Sequence, residues 1–269
     1  MKNTAQSWAG KHMDAHFLPH LTSRQIATLP DKEHAVVVLP VASIEQHGPH
    51  LPVYTDSIIT QEVLQRSLSL LGDEPGIYTL PHQAYGKSNE HIHFAGTVTL
   101  AAETLLHVLM EIGESVARSG FKRFVILNGH GGNTEVIDFA IRDIREKTGL
   151  MVFALHLFLR VAVPEEGLSE SEKVFGIHAG DVETSVLLSC TPDLVHMDQA
   201  PHGIPERLLA QETPPFMGAL NFAWLTDDIA PEGVLGNPHT ADPARGEKYL
   251  DDAARQTAAA LKQVRHFSF

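Results

Sequence analysis

A short apolar segment constrains the fold of this chain more than any other feature. Residues 35–44 read AVVVLPVASI, a run rich in β-branched side chains with no alternation between apolar and polar residues. Such a run is typical of a strand that is covered on both faces, as the strands of parallel sheets are. The segment therefore favours an α/β fold, in which helices pack on both sides of a sheet.

Predicted strands and helices alternate along the chain around this segment. Helical spacing of apolar residues predicts helices over 57–71, 105–116 and 136–144, and further strands are predicted at 76–80, 124–127 and 150–155. The alternation implies right-handed crossovers, so we predict a layered α/β fold with a mostly parallel sheet flanked by helices. Asp242 and Pro243 predict the start of a last helix, as its N-cap and first helical residue. Because no repeat or flexible linker interrupts the sequence, residues 1–269 are interpreted as one domain.

Composition narrows the classes of partner. Twenty Lys and Arg residues against thirty-three Asp and Glu residues give a net charge of −13, which repels nucleic acid and anionic lipid. No apolar run approaches the ~18 residues of a membrane span, and the first residues lack the apolar core of a signal peptide. We therefore expect a cytoplasmic protein that binds neither nucleic acid nor membranes. The single cysteine, Cys190, excludes a cysteine-rich zinc site and is interpreted as a small buried hydrophobe.

A first polar cluster follows the predicted strand at 35–44. Glu45 and His47 lie two residues apart, so on an extended chain their side chains point to the same side, and Asp56 follows where a helix begins. Carboxylate and imidazole ligands without sulfur suit Zn²⁺, Mn²⁺ or Fe²⁺. The alternative is that Asp56 is a helix N-cap and that Glu45 and His47 are solvated loop residues.

Two further clusters follow later apolar segments. Residues 128–133 read NGHGGN after a buried strand, which places His130 at the same carboxyl edge of the sheet. The glycines allow close approach of the backbone to a metal or a small ligand. A phosphate-binding loop is the alternative, although the loop lacks the lysine of GxxxxGK[ST] and the third glycine of GxGxxG. In HAGDVETS, residues 178–185, a helix that starts near Gly180 has Glu183 in its first turn, as a ligand or as a charge favoured by the helix dipole.

Four separated motifs resemble, in order and spacing, those of the creatininase (creatinine amidohydrolase) family. They are LPVASIEQHGPHLPVYTD, YGKSNEH with HFAGT, NGHGGN and HAGDVETS, within residues 35–190. The resemblance implies a layered α/β amidohydrolase with two adjacent divalent metal ions, assembled as a hexamer. It further implies that Glu45, Asp56 and His130 hold one ion, and that His47, Asp56 and another carboxylate hold the second. Zn²⁺ is the first expectation for both ions, with Mn²⁺ or Fe²⁺ as alternatives.

The NGHGGN motif differs from that of creatininase itself. The creatininase motif is similar to NGHYEN and has a ligand glutamate where this chain has Gly132. The missing carboxylate must come from elsewhere, and we predict that Glu183 supplies it. Family members with NGHGGN resemble formamide deformylases and peptide-processing hydrolases. We therefore predict a small-molecule substrate with an amide, lactam or formamide C–N bond, including short peptides, with creatinine as the alternative substrate.

The predicted mechanism uses a hydroxide shared by the two ions as the nucleophile, because two cations lower the pKa of a bridging water. We assign His178 and Glu183 to catalysis. His178 is predicted to be the acid that protonates the departing nitrogen, and the alternative for His178 is a hydrogen bond to a ligand carboxylate. We assign substrate contacts to Glu90, His91, Asn128 and Gly131, with a solvated loop as the alternative for the first two.

Two segments, 160–178 and 199–241, are predicted to be irregular and yet carry apolar side chains, namely Phe175, Phe216, Met217, Phe222, Trp224, Leu225 and Val234. They cover their own domain as a lid, or they form subunit contacts. The family resemblance favours subunit contacts in a homohexamer whose pockets are completed by neighbouring chains. Two hypotheses from other classes are a nucleotide- or sugar-phosphate-binding protein that uses the GHGGN loop without catalysis, and a metal-stabilised oligomeric scaffold.

Overall fold

A four-stranded parallel sheet lies at the centre of the computed structural model, which describes residues 15–157, 167–209, 220 and 222–269. The strands, in the spatial order β2-β1-β3-β4, are β1 (Val36–Val41), β2 (Ile77–Thr79), β3 (Arg123–Asn128) and β4 (Met151–His156). All three neighbouring pairs are parallel. The predicted α/β class and the four predicted strands are therefore confirmed.

Helices connect and cover these strands. The described helices are α1 (Ser23–Ala27), α2 (Thr55–Leu71), α3 (Ala102–Arg118), α4 (Thr134–Thr148), α5 (Glu170–Phe175), α6 (Asp181–Cys190), α7 (Glu206–Leu209), α8 (Thr226–Ile229) and α9 (Pro243–His266). Among these helices, none combines the length and the apolar character that crossing a membrane requires.

Alternate residues of the strands face two different hydrophobic layers. Val36 and Val38 of β1 pack with apolar residues of α2, α6 and α9 on one face of the sheet. Val37 and Leu39 pack with α3 and α4 on the other face. This arrangement explains why the strand at 35–44 shows no polar alternation, since both of its faces are buried.

The parallel register sets the carboxyl edge of the sheet, where the predicted site lies. Val41 at the end of β1 pairs with Asn128 at the end of β3, and Asn128 pairs with His156 at the end of β4. The segments that leave β1 and β3 therefore start side by side. They carry Glu45 and His130, which are 85 positions apart in the sequence but follow neighbouring strands.

Two helix starts confirm one prediction and exclude one alternative. The Asp242 side chain accepts a hydrogen bond from the Ala244 backbone N–H at 2.8 Å, and Pro243 is the first residue of α9, as predicted. Asp56 is not an N-cap, because α2 begins after Tyr54 and has no side-chain cap. The Asp56 carboxylate therefore does not cap the helix and is free to face the site.

The two segments predicted to be irregular contain short helices where the structure describes them. Phe175 is buried against Ile204 and Leu208, and Val234 is buried in the layer below α2 and α9. These two side chains therefore cover their own chain, as the lid alternative expects. Residues 160–166, Phe216 and Met217 of these segments lie outside the described residues.

Candidate metal centre

Buried carboxylates and imidazoles converge at the carboxyl edge of the sheet. Glu45 and His47 follow β1, Asp56 lies in the first turn of α2, and His130 follows β3. The four residues are at most 5% exposed, so the alternative that Glu45 and His47 are solvated loop residues is wrong. Buried groups of this kind require partners, because a lone buried charge is costly.

Asp56 lies between the two imidazoles and presents one carboxylate oxygen to each. Its Oδ1 is 3.2 Å from His47 Nε2, and its Oδ2 is 2.9 Å from His130 Nδ1. The Ser43 hydroxyl also donates to Oδ2, at 2.5 Å. A carboxylate that faces two nitrogen donors from opposite oxygens has the geometry of a group shared between two cations.

Glu183 joins this arrangement from the first turn of α6. Its Oε2 lies 3.7 Å from His47 Nε2 and accepts a hydrogen bond from the Ala179 backbone N–H at 2.6 Å. Two groups of possible metal ligands share Asp56, and in each group the ligand atoms lie within 4.8 Å of one another: Glu45, Asp56 and His130, and His47, Asp56 and Glu183. They coincide with the two ligand sets that the family resemblance and the missing glutamate at Gly132 led us to predict.

Hydrogen bonds fix which edge of each imidazole faces the carboxylates. The Nδ1–H of His47 donates to the Glu45 backbone carbonyl at 3.1 Å, and the Nε2–H of His130 donates to the Lys87 carbonyl at 2.9 Å. His47 Nε2 is then a buried nitrogen with no hydrogen-bond partner among the described residues. A buried ring nitrogen beside carboxylates, with the other ring nitrogen held by a carbonyl, fits a metal ligand that gives up its proton when the ion binds.

The charges of the cluster also favour cations. Burial lowers the pKa values of His47 and His130, but the neighbouring carboxylates outweigh burial and raise both to about 10. Burial raises the pKa of Asp56, but the two imidazoles outweigh it and hold that pKa well below its usual value. The pKa of Glu45 rises to about 7, chiefly because the group is buried. The carboxylates thus stabilise positive charge at the two positions where the two ligand groups lie.

Gln46 organises two further imidazoles beside this cluster, a role that the sequence analysis did not predict. Its amide oxygen accepts the Gly48 N–H at 2.8 Å, so its amide nitrogen donates to the Gly233 carbonyl at 2.9 Å and to His91 Nδ1 at 2.8 Å. The Gln46 backbone carbonyl accepts the Nε2–H of His178 at 2.7 Å. Its position between two ligands on an extended chain is the one signal that could have placed it on the opposite face.

These bonds make His178 and His91 present different atoms to the site. His178 presents its Nδ1 lone pair, which lies 3.6 Å from Glu45 Oε1, and His91 presents its Nε2–H, which lies 3.7 Å from the same oxygen. The His178 ring lies between those of His47 and His91, with centroid distances of 4.3 and 4.2 Å. The alternative of a solvated loop is therefore wrong for His91, which is buried in the site of its own chain.

Gly132 and Glu90 occupy neighbouring space beside His130. A Cβ at position 132 would lie 2.3 Å from Glu90 Oε1 and 2.6 Å from the Lys87 carbonyl oxygen, so a side chain there requires the Lys87 backbone to shift. Glu90 Oε1 instead approaches His130 Nε2 at 3.7 Å. The carboxylates around His130 disfavour a bound phosphate, which counts against the alternative of a phosphate-binding loop.

Asn128 holds the His130 loop through both ends of its side-chain amide. It donates to the His130 carbonyl at 2.8 Å and accepts the His130 N–H at 3.2 Å. Gly131 is exposed at the surface of the same loop. Substrate contacts by Asn128 and Gly131 stay predictions. Cys190, predicted to be a small buried hydrophobe, packs against the core but is only partly buried, and this burial raises the pKa of its thiol.

The chain matches one known protein family over most of its length. The profile of the creatininase family, described as creatinine amidohydrolase, matches residues 19–261. The chain belongs to the creatininase family. It is accordingly a hydrolase of that family, as the sequence motifs predicted.

Relatives and solved structures in the creatininase family match most of the chain. A Mycobacterium ulcerans protein named mycofactocin precursor peptide peptidase is 35% identical over 232 residues, covering 82% of this chain and 84% of the relative. Creatinine amidohydrolase from Pseudomonas putida is 28% identical over 262 residues, covering 92% and 96%. A Zn–Zn form of a mutant creatininase has a TM-score of 0.72 at 26% identity, covering 92% of this chain and 97% of that one. A manganese form of creatininase gives a TM-score of 0.69 with the same identity and coverage.

Proposed function

We propose that this creatininase-family hydrolase cleaves a C–N bond at a centre of two divalent metal ions that share Asp56. The observation that carries the proposal is the pair of ligand groups on either side of Asp56, with His47 Nε2 buried and without a hydrogen-bond partner in the described part of the chain. Glu45, Asp56 and His130 would hold one ion, and His47, Asp56 and Glu183 the other. When bound, two such ions polarise an amide carbonyl and lower the pKa of water towards neutrality.

His178 moves the proton. Because its Nε2–H is held by the Gln46 carbonyl, the resting ring can only accept a proton, at Nδ1, from the attacking water. It then donates the same proton from Nδ1 to the departing nitrogen. The predicted role as catalytic acid is therefore kept, but it follows an earlier step as a base.

His91 and Glu90 face the space in which the substrate would lie. The Nε2–H of His91 donates a hydrogen bond to the substrate, since Gln46 and the Thr226 hydroxyl, 2.9 Å away, both occupy Nδ1. Glu90 is partly exposed and lies between His130 and Lys87, whose Nζ is 4.0 Å from Glu90 Oε2. These positions suit contacts to the amide group and to a flanking polar group of a substrate.

The substrate class we propose is a short peptide rather than creatinine. The chain is more similar to the relative named as a peptide peptidase, at 35% identity, than to creatinine amidohydrolase, at 28%. Gly132 supports the same choice, because the corresponding position in the NGHYEN motif of creatininase is a glutamate and this chain has no side chain there. For the ions, Zn²⁺ is the first choice and Mn²⁺ or Fe²⁺ the alternatives, since solved creatininases include zinc and manganese forms. A single domain, a homohexamer and a cytoplasmic location complete the proposal.

Assays of the metal-loaded protein on short peptides, formamides and creatinine test the proposed function, with Asp56→Ala as the inactive control. We expect amine release from peptides, with a higher kcat/KM than for creatinine. Faster turnover of creatinine would contradict the substrate class. Two bound ions without turnover of any of the three classes would contradict the hydrolase and favour the scaffold hypothesis.

A further inference from the structure

We propose that Glu172, which lies outside the metal centre, is the positioning residue that holds Glu183 and His178 in place. This inference rests on the proposed function, because it concerns the ligand set of the second ion. Glu172 lies on α5 and is 3% exposed. Both of its carboxylate oxygens are used by backbone N–H groups of other segments.

The Glu172 carboxylate connects two segments that are far apart in the sequence. Its Oε1 accepts a hydrogen bond from the Asp181 N–H at 2.8 Å, and its Oε2 accepts one from the Asn237 N–H at 2.5 Å. Hydrogen bonds from a backbone N–H to a buried carboxylate are stronger than those between neutral groups. One side chain therefore ties the start of α6 to the segment that follows Gly236.

Glu172 also replaces a missing helix cap. The N-cap of α6 is Gly180, which has no side chain to accept the first N–H groups of the helix. The Glu172 carboxylate accepts the N–H of Asp181, the first residue of α6, and places negative charge at the positive end of the helix dipole. The start of the helix that carries Glu183 thus depends on a residue from another helix.

Three glycines form the space that admits this carboxylate. A Cβ at Gly176, Gly180 or Gly236 would lie 2.3, 2.4 or 2.8 Å from Glu172 Oε1, closer than real Cβ contacts are. Their closeness to one oxygen shows that the backbone of both segments wraps the carboxylate. This arrangement gives a physical reason for glycine at each of these positions.

The two tied segments carry the functional groups. Ala179 has a φ of +54°, which is uncommon for a residue with a side chain, and its N–H donates to Glu183 Oε2. His178 pairs with Leu235 through two backbone hydrogen bonds, of 2.8 and 3.1 Å. The strained turn at Ala179 persists only where its surroundings hold it, and Glu172 bonds to the residue two positions later. The position of Glu183 at the second ion therefore depends on Glu172.

The Glu172→Gln variant tests this dependence. The amide keeps the shape of the side chain but places an NH₂ group against one of the two backbone N–H groups, so one hydrogen bond is lost. Glu170→Gln on the same helix is the matched control, because the Glu170 side chain is 90% exposed. We measure the affinity and number of Zn²⁺ ions that bind to the metal-free protein by chelator competition, and the free energy of unfolding.

We expect wild type and Glu170→Gln to bind two ions. Glu172→Gln keeps the first ion at wild-type affinity and binds the second about ten- to a hundredfold more weakly, as is usual when the support of a ligand is removed. Gly180→Ala, which changes no charge but crowds Glu172 Oε1, produces the same selective loss. It also serves if Glu172→Gln does not fold.

The outcomes separate this inference from the proposed function. Fewer than two ions in wild type would contradict the proposed function itself. Two ions in wild type, with unchanged affinities in both variants, would overturn the role of Glu172. Equal weakening of both ions together with a lower free energy of unfolding would also overturn it, because it would show a general structural role.

Discussion

The two halves of the candidate metal centre are held in place in different ways. Glu45 and His130 follow strands whose register sets where each side chain starts, and Asp56 lies in the first turn of a long buried helix. Glu183 and His178 come from a segment outside the sheet, which hydrogen bonds to Glu172 and Leu235 hold in place. We call Glu45, Asp56 and His130 the sheet half, and its position is fixed by the hydrogen bonds of the parallel strands and by α2. We call Glu183 and His178 the loop half, and its position is fixed by a few hydrogen bonds that single substitutions can remove.

The largest effect is expected at Asp56, which belongs to the sheet half and to both ligand groups. Asp56→Ala should lose both ions, whereas His130→Ala should lose mainly one, because His130 belongs to only one of the two groups that share Asp56. Elemental analysis after loading with Zn²⁺ measures the number of ions, and Asp193→Ala on the exposed surface is the control. Two ions retained by Asp56→Ala would show that this carboxylate is not shared.

A smaller and more selective effect is expected at Glu183, in the loop half. Glu183→Gln should keep the ion of the sheet half and lose the other, because the remaining ligands of the second group are His47 and Asp56 alone. We expect kcat/KM to fall by more than about a hundredfold, since removing only the support of a ligand costs up to that much. A variant with two ions and wild-type kcat/KM would separate Glu183 from the metal centre.

The sequence could predict the sheet half better than the loop half for a physical reason. The spacing of Glu45 and His47 and the strand before His130 are local patterns, and parallel strands bring their carboxyl ends together. Glu183 was predicted because a ligand was missing from the family motif at Gly132. Glu172 and Gln46 were missed because their roles depend on contacts between distant segments, such as the bond from Glu172 to Asn237. Local patterns do not record such contacts.

The next prediction concerns the stability of the loop half. Asp181 is 0% exposed and accepts hydrogen bonds from Arg245 Nη2 at 2.6 and 2.8 Å, which links the start of α6 to the start of α9. Asp181→Asn removes the negative charge that Arg245 bonds to, and because Arg245 itself is 24% exposed we expect the free energy of unfolding to fall by about 2 kcal/mol. Urea unfolding measures the change.

Glu247→Gln is the control for Asp181→Asn, because it removes an exposed partner of Arg66 and should cost less than about 1 kcal/mol. Equal costs for the two variants would show that the buried link does not hold the loop half. We expect Asp181→Asn to keep two ions once it has folded, since the Asp181 backbone N–H still bonds to Glu172.

The smallest effect is a pH dependence at His82, which lies against the start of α2. Burial lowers the pKa of His82 to about 4, while its Nε2 lies 2.9 Å from the Ser57 hydroxyl. A histidine whose pKa is lower in the folded protein than in the unfolded chain destabilises the fold at low pH, because the unfolded chain then binds the proton more readily. Its contribution is therefore complete above about pH 6.5 and is lost as the pH falls towards 4.

Replacing His82 with Gln should reduce this loss by on the order of 2 kcal/mol between pH 7 and about pH 4. The measurement is the free energy of unfolding of both proteins across that range, with His107→Gln on the exposed face of α3 as the control. An identical pH dependence of wild type and His82→Gln would show that His82 is not held neutral at the sheet edge.

Anomalous diffraction from crystals loaded with Zn²⁺ tests most directly whether the two halves form one metal centre. We predict two peaks per chain, one among Glu45, Asp56 and His130 and the other among His47, Asp56 and Glu183. The Glu183 carboxylate should lie about 2.0 to 2.2 Å from the second ion. A single peak, or a Glu183 carboxylate beyond hydrogen-bonding reach of both ions, would contradict the account.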